Sequence, residues 1–348
     1  MVNFKLLSEK EMMEFGRKAL GIAQSAHISL TALSSRGSDR AFYRITWGKT
    51  NSVILIHYDP IRVENAYYGD IAIFLNDINV PVPKFIRHDA EQCLMLMEDL
   101  GDTDLWTLRN EPWEIRQGFY QKTLAIIHKL HSYPLEKFPS GQVKLMEPFG
   151  PGLYQWERDY FRENFVKGVC RIELEPAPAR ELEAGLNTLA GRLQEASRSL
   201  VHRDLQSQNV MLHGGEPYLI DFQGMRMGSP FYDLGSLLCD PYVHFSDSER
   251  EELLAFYYGL SNRDLAWPDF QQLFWQASTQ RLMQALGAYG FLGHKKGLTA
   301  FLDHIPAGFA NLQHAASRMP ALRHLRELLE KCQKHIGDRR LVQVISNI

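Results

Sequence analysis

The sequence predicts an α+β protein of two lobes, with a small N-terminal antiparallel β-sheet lobe over residues 1–100 and a larger, mostly helical C-terminal lobe over residues 101–348. Three observations lead there. Strand-like runs crowd into the first hundred positions, helical apolar periodicity dominates beyond Gly101, and 348 residues are too many for one compact core.

The elements follow in order. Residues 8–26 carry a helical pattern, with Ser8 placed to cap it and Glu11 three residues on as the capping-box partner. Strand-like runs come next at Ile28–Leu33, Ala41–Trp47 and residues 52–58. Between the first two lies Ser34-Ser35-Arg36-Gly37-Ser38-Asp39-Arg40, a hairpin tip whose amides and hydroxyls suit an anion such as phosphate. A helix near residues 65–76, the segment Val80-Pro81-Val82-Pro83 as entry to the next strand, and the strand over residues 92–97 complete the first lobe. At Met97-Glu98-Asp99-Leu100-Gly101 the strand pattern stops, which marks a hinge between the lobes. Helical patterns then appear at residues 117–131 and near residues 156–169, and the histidines in them read as core or interface residues.

The densest chemical signal runs from His202 to Asp233. His202-Arg203-Asp204, then Asn209, then Asp221-Phe222 stand in the order and spacing of a phosphoryl-transfer centre. Such a transfer passes through a loose, highly charged transition state, so the protein must supply metal binding, alignment and a proton acceptor. Asp204, in a loop after the apolar Leu200-Val201, is the candidate to accept or orient a hydroxyl proton. Asn209 and Asp221 are the candidate metal ligands. Gly214-Gly215 reads as the hairpin turn between Val210-Met211-Leu212 and Tyr218-Leu219-Ile220, which brings the three residues to one end of a small sheet. His202 reads as a packing residue. In this context the loop at Gly37 and Ser38 becomes a candidate cover for nucleotide phosphates. The Glu98 carbonyl and Leu100 amide become candidates to pair with an adenine edge.

Composition narrows the partners. Lys plus Arg number 38 against 41 Asp plus Glu, so no basic surface points to nucleic acid or an anionic membrane. The four cysteines, Cys93, Cys170, Cys239 and Cys332, have no C-x-x-C spacing and fit reduced thiols better than a disulfide framework or a zinc site. The N-terminus shows no targeting pattern and no run reaches about eighteen apolar residues, so the expectation is a cytoplasmic protein. Oligomeric state is not legible.

The chain resembles the aminoglycoside phosphotransferase-like family of small-molecule kinases, of the aminoglycoside and choline kinase type, which shares the protein-kinase-like two-lobed fold. The likeness runs from the hairpin near Gly37 to Pro306. It is carried by His202-Arg203-Asp204-Leu205-Gln206-Ser207-Gln208-Asn209, Ile220-Asp221-Phe222-Gln223 and Tyr232-Asp233-Leu234-Gly235-Ser236-Leu237-Leu238. Within the family, residues 280–287 and Phe301-Leu302-Asp303-His304-Ile305-Pro306 are similar to the anomeric kinases of N-acetylmuramate and N-acetylglucosamine. The resemblance implies ATP and Mg2+ as cosubstrates, a small-molecule acceptor offering a sugar hydroxyl, and Asp233 as a buried anchor for the catalytic loop.

Two departures from the kinase pattern stand out. Strand residues Val53-Ile54-Leu55-Ile56-His57-Tyr58 offer no lysine for the phosphates, and Tyr68 stands at the helix position that would align with its glutamate partner. His57, Arg44 and Arg40 are the candidate replacements. Gln223 stands where protein kinases carry glycine.

Several readings of the acceptor remain. Only residues 224–232 separate Gln223 from Asp233, too few for a peptide-binding platform. An aminoglycoside pocket should be lined with carboxylates, whereas Arg281, Lys295, Lys296, Arg323 and Arg326 make the region after Gln280 basic and suit a neutral or anionic sugar. Gln206, Ser207 and Arg281 are the acceptor-site candidates by placement. Aminoglycoside, choline and homoserine kinases are the alternatives within the family. A catalytically silent nucleotide-binding pseudokinase is the alternative of another class; magnesium-dependent nucleotide binding without turnover would mark it.

Overall fold

The structure is a computed structural model that describes residues 7–33, 40–196, 198–261 and 265–345, with side chains as far as Ile336. The hairpin tip with Gly37 and Ser38 lies outside the described residues.

Helix α1 (Glu9–Leu20) opens on the expected capping box, in which Ser8 Oγ accepts from Glu11 N and Glu11 accepts from Ser8 N. It ends sooner than its periodicity suggested, because Gly21 turns left-handed at φ 65° and closes the last turn. Strands β1 (Ile28–Leu33), β2 (Ala41–Trp47) and β3 (Asn51–His57) lead to helix α2 (Val63–Asp77), then β4 (Phe85–Asp89) and β5 (Leu94–Glu98). They form one five-stranded antiparallel sheet in the order β1-β2-β3-β5-β4. Strand β4 is the strand entered from Val80-Pro81-Val82-Pro83, whose bounds the sequence leaves open: it is an edge strand with an irregular register at Phe85 and Arg87, so its alternation is weak.

The period of two splits the sheet into two buried faces. Leu94 and Leu96 face a cluster with Met12 of α1, Ile45, Val53 and Leu55, while Met95 and Met97 join Ile56 and the α2 residues Tyr68, Ile71 and Leu75. The second face is continuous with the core of the helical lobe, which includes Leu200, Val201 and Leu205.

That lobe contains α3 (Trp113–His131), α4 (Pro151–Phe161), α5 (Pro176–Glu195), strands β6 (Ser199–Val201), β7 (Val210–His213), β8 (Glu216–Leu219) and β9 (Arg226–Gly228), then α6 (Pro230–Leu238), α7 (Asp247–Leu260), α8 (Trp267–Gly290), α9 (Ile305–Ser317) and α10 (Arg323–Ile345). The helix expected near residues 156–169 is instead α4 followed by wider π turns over Arg162–Val169. β7 and β8 form the expected hairpin, with Gly214 and Gly215 both at positive φ. Helix α8 is buried over most of its length between α4, α6 and α9. Its closeness to α6 depends on Gly235, where a Cβ would come within 2.8 Å of Ser278 Cα. Among the described residues no helix is long and apolar enough to cross a membrane.

Candidate active site

Strand β6 delivers the chain into the loop over residues 202–209, and one buried carboxylate holds that loop in shape. Asp233, fully buried on α6, accepts from His202 N at 2.7 Å and Arg203 N at 2.8 Å. It also meets His131 Nε2 at 3.0 Å, and His131 Nδ1 in turn meets the Tyr257 hydroxyl at 2.7 Å. His202 is a staple between two loops: its Nδ1 accepts from Asp204 N at 3.3 Å and its Nε2 donates to the Ile220 carbonyl at 2.9 Å. A second buried carboxylate, Asp240, accepts from Ser207 N at 2.7 Å and Tyr242 N at 2.9 Å; burial pushes its carboxyl up to about 6, against the pull of those bonds. The middle of the loop is therefore fixed from α6 at one end and from the segment after α6 at the other.

Asn209 closes the loop on Asp204, donating its amide Nδ2 to the Asp204 carbonyl at 2.9 Å. That bond turns Asn209 Oδ1 the other way. Asp221 follows β8 and is held in the left-handed conformation at φ 64°, while Ile220 N reaches the Asn209 carbonyl at 3.0 Å. One carboxylate oxygen of Asp221 is taken by Arg40 and by Gln223 Nε2 at 3.2 Å; the other has no hydrogen-bond partner among the described residues. Burial alone would raise the Asp221 carboxyl, but the charge and hydrogen bond of Arg40 outweigh it and hold the group below its usual range. The donors that remain are a carboxylate oxygen and an amide oxygen. They fit a hard divalent cation such as magnesium, which keeps several ligands from solvent or phosphate. Among the described residues no three His, Cys, Asp or Glu side chains converge into an all-protein cage.

The acceptor-site candidates fall in different places. Arg281 on α8 is pinned on three sides, with Nη2 on Asp204 Oδ1 at 2.7 Å, Nε on Ser236 Oγ at 3.1 Å and Nη1 on Gln284. Its guanidinium thus rests against the Asp204 carboxylate, which is 27% exposed. Ser207 is buried and Gln206 half-buried beside it. Arg323 and Arg326 belong elsewhere: α10 packs on α5 and α9, Arg323 pairs with Glu327 at 2.7 Å, and Arg326 caps the Met319 and Pro320 carbonyls. Lys295 lies 6.0 Å from the centre of the Phe291 ring.

In the sheet lobe, Arg44 is tied to the segment just after β5. Its Nε and Nη2 bind both oxygens of Asp99 at 2.7 and 3.0 Å, and Nη2 also reaches Asp102 at 2.8 Å. His57 ends β3 opposite Ala41 and Leu94, and burial lowers its pKa. Leu100 lies beyond the last ladder pair of β5, with its carbonyl bonded to His213 Nδ1 at 3.2 Å. The Glu98 side chain folds back to accept from Lys84 N at 3.0 Å. Tyr68 is buried and stacked on Phe222 at 4.4 Å, so α2 meets the metal loop through aromatic rings.

Two features have no visible signal in a single sequence. Glu157 of α4 is fully buried, receives Tyr232 Oη at 2.7 Å and Gln280 Nε2 at 3.0 Å, and ties α4, α6 and α8 together beneath the loop. Arg40 and Asp221 meet across 181 positions.

With this geometry in place, the comparisons define the class. The chain matches the phosphotransferase enzyme family, APH, over residues 29–270. It belongs to that family and is a small-molecule kinase. It is 26% identical over 312 residues to an N-acetylmuramate/N-acetylglucosamine kinase of Pseudomonas aeruginosa, covering 86% of this chain and 87% of that one. A kinase of the same name from Neisseria meningitidis is 24% identical over 318 residues, covering 90% and 92%. The fold is shared with a choline/ethanolamine kinase family protein from Mesorhizobium loti at a TM-score of 0.59 and 15% identity, covering 93% of this chain and 99% of that chain.

Proposed function

We propose that the protein transfers the terminal phosphate of ATP to the anomeric hydroxyl of an N-acetylated amino sugar of the N-acetylmuramate or N-acetylglucosamine type. The observation that carries the transferase chemistry is the loop geometry: Asp204, Asn209 and Asp221 stand at one end of the β7–β8 hairpin, locked by the Asn209 to Asp204 bond and the His202 staple. The acceptor class rests on the similarity to the bacterial amino-sugar kinases over nearly the whole chain.

ATP would sit between the lobes with its adenine edge against the Glu98 carbonyl and Leu100 amide; the phosphate contact expected at Gly37 and Ser38 falls outside the described residues. Asn209 and Asp221 would hold magnesium, which would supply charge neutralisation on the phosphate oxygens. Asp204 orients the acceptor hydroxyl and takes its proton as the oxygen bonds to phosphorus. The bond between that phosphorus and the bridging oxygen breaks, and ADP leaves with the electron pair. An anomeric hydroxyl is more acidic than an ordinary alcohol, which suits a side-chain base such as Asp204, against which the Arg281 guanidinium rests. Half-buried Gln206 is the acceptor contact next to Asp204, while Ser207, fully buried, steadies the loop through its N–H bond to Asp240. Arg44 serves as a strut that fixes the hinge, and His57 closes the back of the phosphate site.

The test is ADP release with ATP and magnesium over a panel of N-acetylmuramate, N-acetylglucosamine, other hexoses, aminoglycosides, choline and homoserine. Turnover on an N-acetylated amino sugar, lost in Asp204→Asn with nucleotide affinity kept, is the expected result. Turnover only on an amine would reject the sugar assignment. Nucleotide binding with no turnover on any acceptor would favour a silent protein.

A further inference from the structure

Strand β3 contributes no cation to the phosphate site, yet a cation reaches the site from the neighbouring strand. Arg40 is the residue just before β2 and the first described one after residue 33. Its side chain crosses from the sheet lobe to the metal loop of the helical lobe, where Nη2 binds Asp221 Oδ1 and Nη1 donates to Gln223 Oε1 at 3.0 Å. The residue is 7% exposed. Gln223 completes a small ring of contacts, since its Nε2 also donates to Asp221 Oδ1 at 3.2 Å. The glutamine that departs from the protein-kinase pattern thus holds Arg40 in register over the metal-binding carboxylate. Tyr68, packed flat on Phe222, occupies the helix position from which a glutamate would have drawn such a cation away.

We propose that Arg40 is the phosphate-contacting cation of this kinase, and that its pairing with Asp221 makes metal and nucleotide bind as one coupled event. The inference rests on the kinase reading above. A divalent ion arriving alone at Asp221 competes with a nearly buried guanidinium for the same carboxylate, and two like charges are brought together where screening is weak. Metal that arrives on a triphosphate brings an anion for Arg40: the guanidinium exchanges Asp221 for phosphate oxygens, which it can hold through two parallel N–H donors, and Asp221 exchanges Arg40 for the metal. Each ion pair that breaks is replaced by another. The coupling is reciprocal, so nucleotide without metal must also bind more weakly than the pair together.

The experiment is a four-way titration followed by calorimetry on the intact chain: Mn2+ alone, a non-hydrolysable ATP analogue alone, each in the presence of the other, and adenosine as a control for the hinge. Wild type should show strong mutual tightening of metal and triphosphate. In Arg40→Met, Mn2+ alone should bind more tightly than to wild type, the metal–triphosphate complex should bind roughly ten- to a hundredfold more weakly, and adenosine should be unchanged. Arg40→Lys should keep part of the coupling, and Gln223→Ala should lose part of it. Coupling in a folded Arg40→Met equal to that of wild type would overturn the proposal. If Arg40→Met does not fold, the Lys and Ala variants decide it, and unchanged coupling in both overturns it. Failure of wild type itself to bind any nucleotide would instead overturn the kinase reading.

Discussion

Replacing Asp233 with alanine removes the carboxylate that holds the start of the loop over residues 202–209. Three donors lose their acceptor: His202 N, Arg203 N and His131 Nε2, at 2.7, 2.8 and 3.0 Å. Asp233 and His202 are fully buried, so solvent does not reach in to compensate. A buried donor left unpaired costs about 1–3 kcal/mol, so the variant should lose about 3–9 kcal/mol if nothing relaxes, against a total stability of about 5–15 kcal/mol for an ordinary domain. Asp233→Asn keeps the shape but presents an NH2 group where one of the two backbone N–H groups expects an oxygen. It should lose about 2–4 kcal/mol. Urea unfolding followed by far-ultraviolet circular dichroism and tryptophan fluorescence reads both values. An alanine variant within about 1 kcal/mol of wild type would refute the reasoning, because the anchor would then carry no more than a surface contact.

Two further outcomes follow from the same contacts. Arg281→Met should lower kcat by roughly ten- to a hundredfold, a range that discounts the buried-pair cost because Asp204 is partly exposed; the KM for ATP should stay close to wild type in steady-state kinetics. An equal loss in nucleotide affinity would mean that Arg281 acts on the whole cleft rather than on Asp204. Asp240 predicts a pH effect: its carboxyl, raised by burial to about 6 in the folded chain, binds a proton that the unfolded chain has already released. Its contribution to stability should be full below about pH 4 and decline as pH rises through about 6, a loss of up to about 3 kcal/mol. The difference in unfolding free energy between wild type and Asp240→Asn should fall across that window, and a flat difference would contradict the raised carboxyl.

Much of the fold was legible because local rules and tertiary packing agree. The Ser8 and Glu11 capping box, the Gly214-Gly215 turn and the β-branched runs of β1 to β3 each carry a local physical signal. The end of α1 was misjudged because its periodicity continues past Gly21, whose left-handed turn stops the helix. In the site, the spacing of Asp204 and Asn209 is local enough for a loop to close, and the structure closes it. Only its placement in the basic region after Gln280 makes Arg281 an acceptor-site candidate, and which face of α8 meets Asp204 depends on how closely α8 packs against α6 at Gly235. The Arg40 to Asp221 contact and the burial of Glu157 join residues far apart in the chain, and no periodicity or spacing encodes such pairs.

The most direct test of the account is the product itself. The protein is incubated with ATP, magnesium and N-acetylglucosamine or N-acetylmuramate, and the sugar product is examined by phosphorus and proton nuclear magnetic resonance. A phosphate coupled to the anomeric proton, absent with Asp204→Asn, is the predicted result. A phosphate on any other hydroxyl, or equal product from the Asp204→Asn chain, would contradict the account.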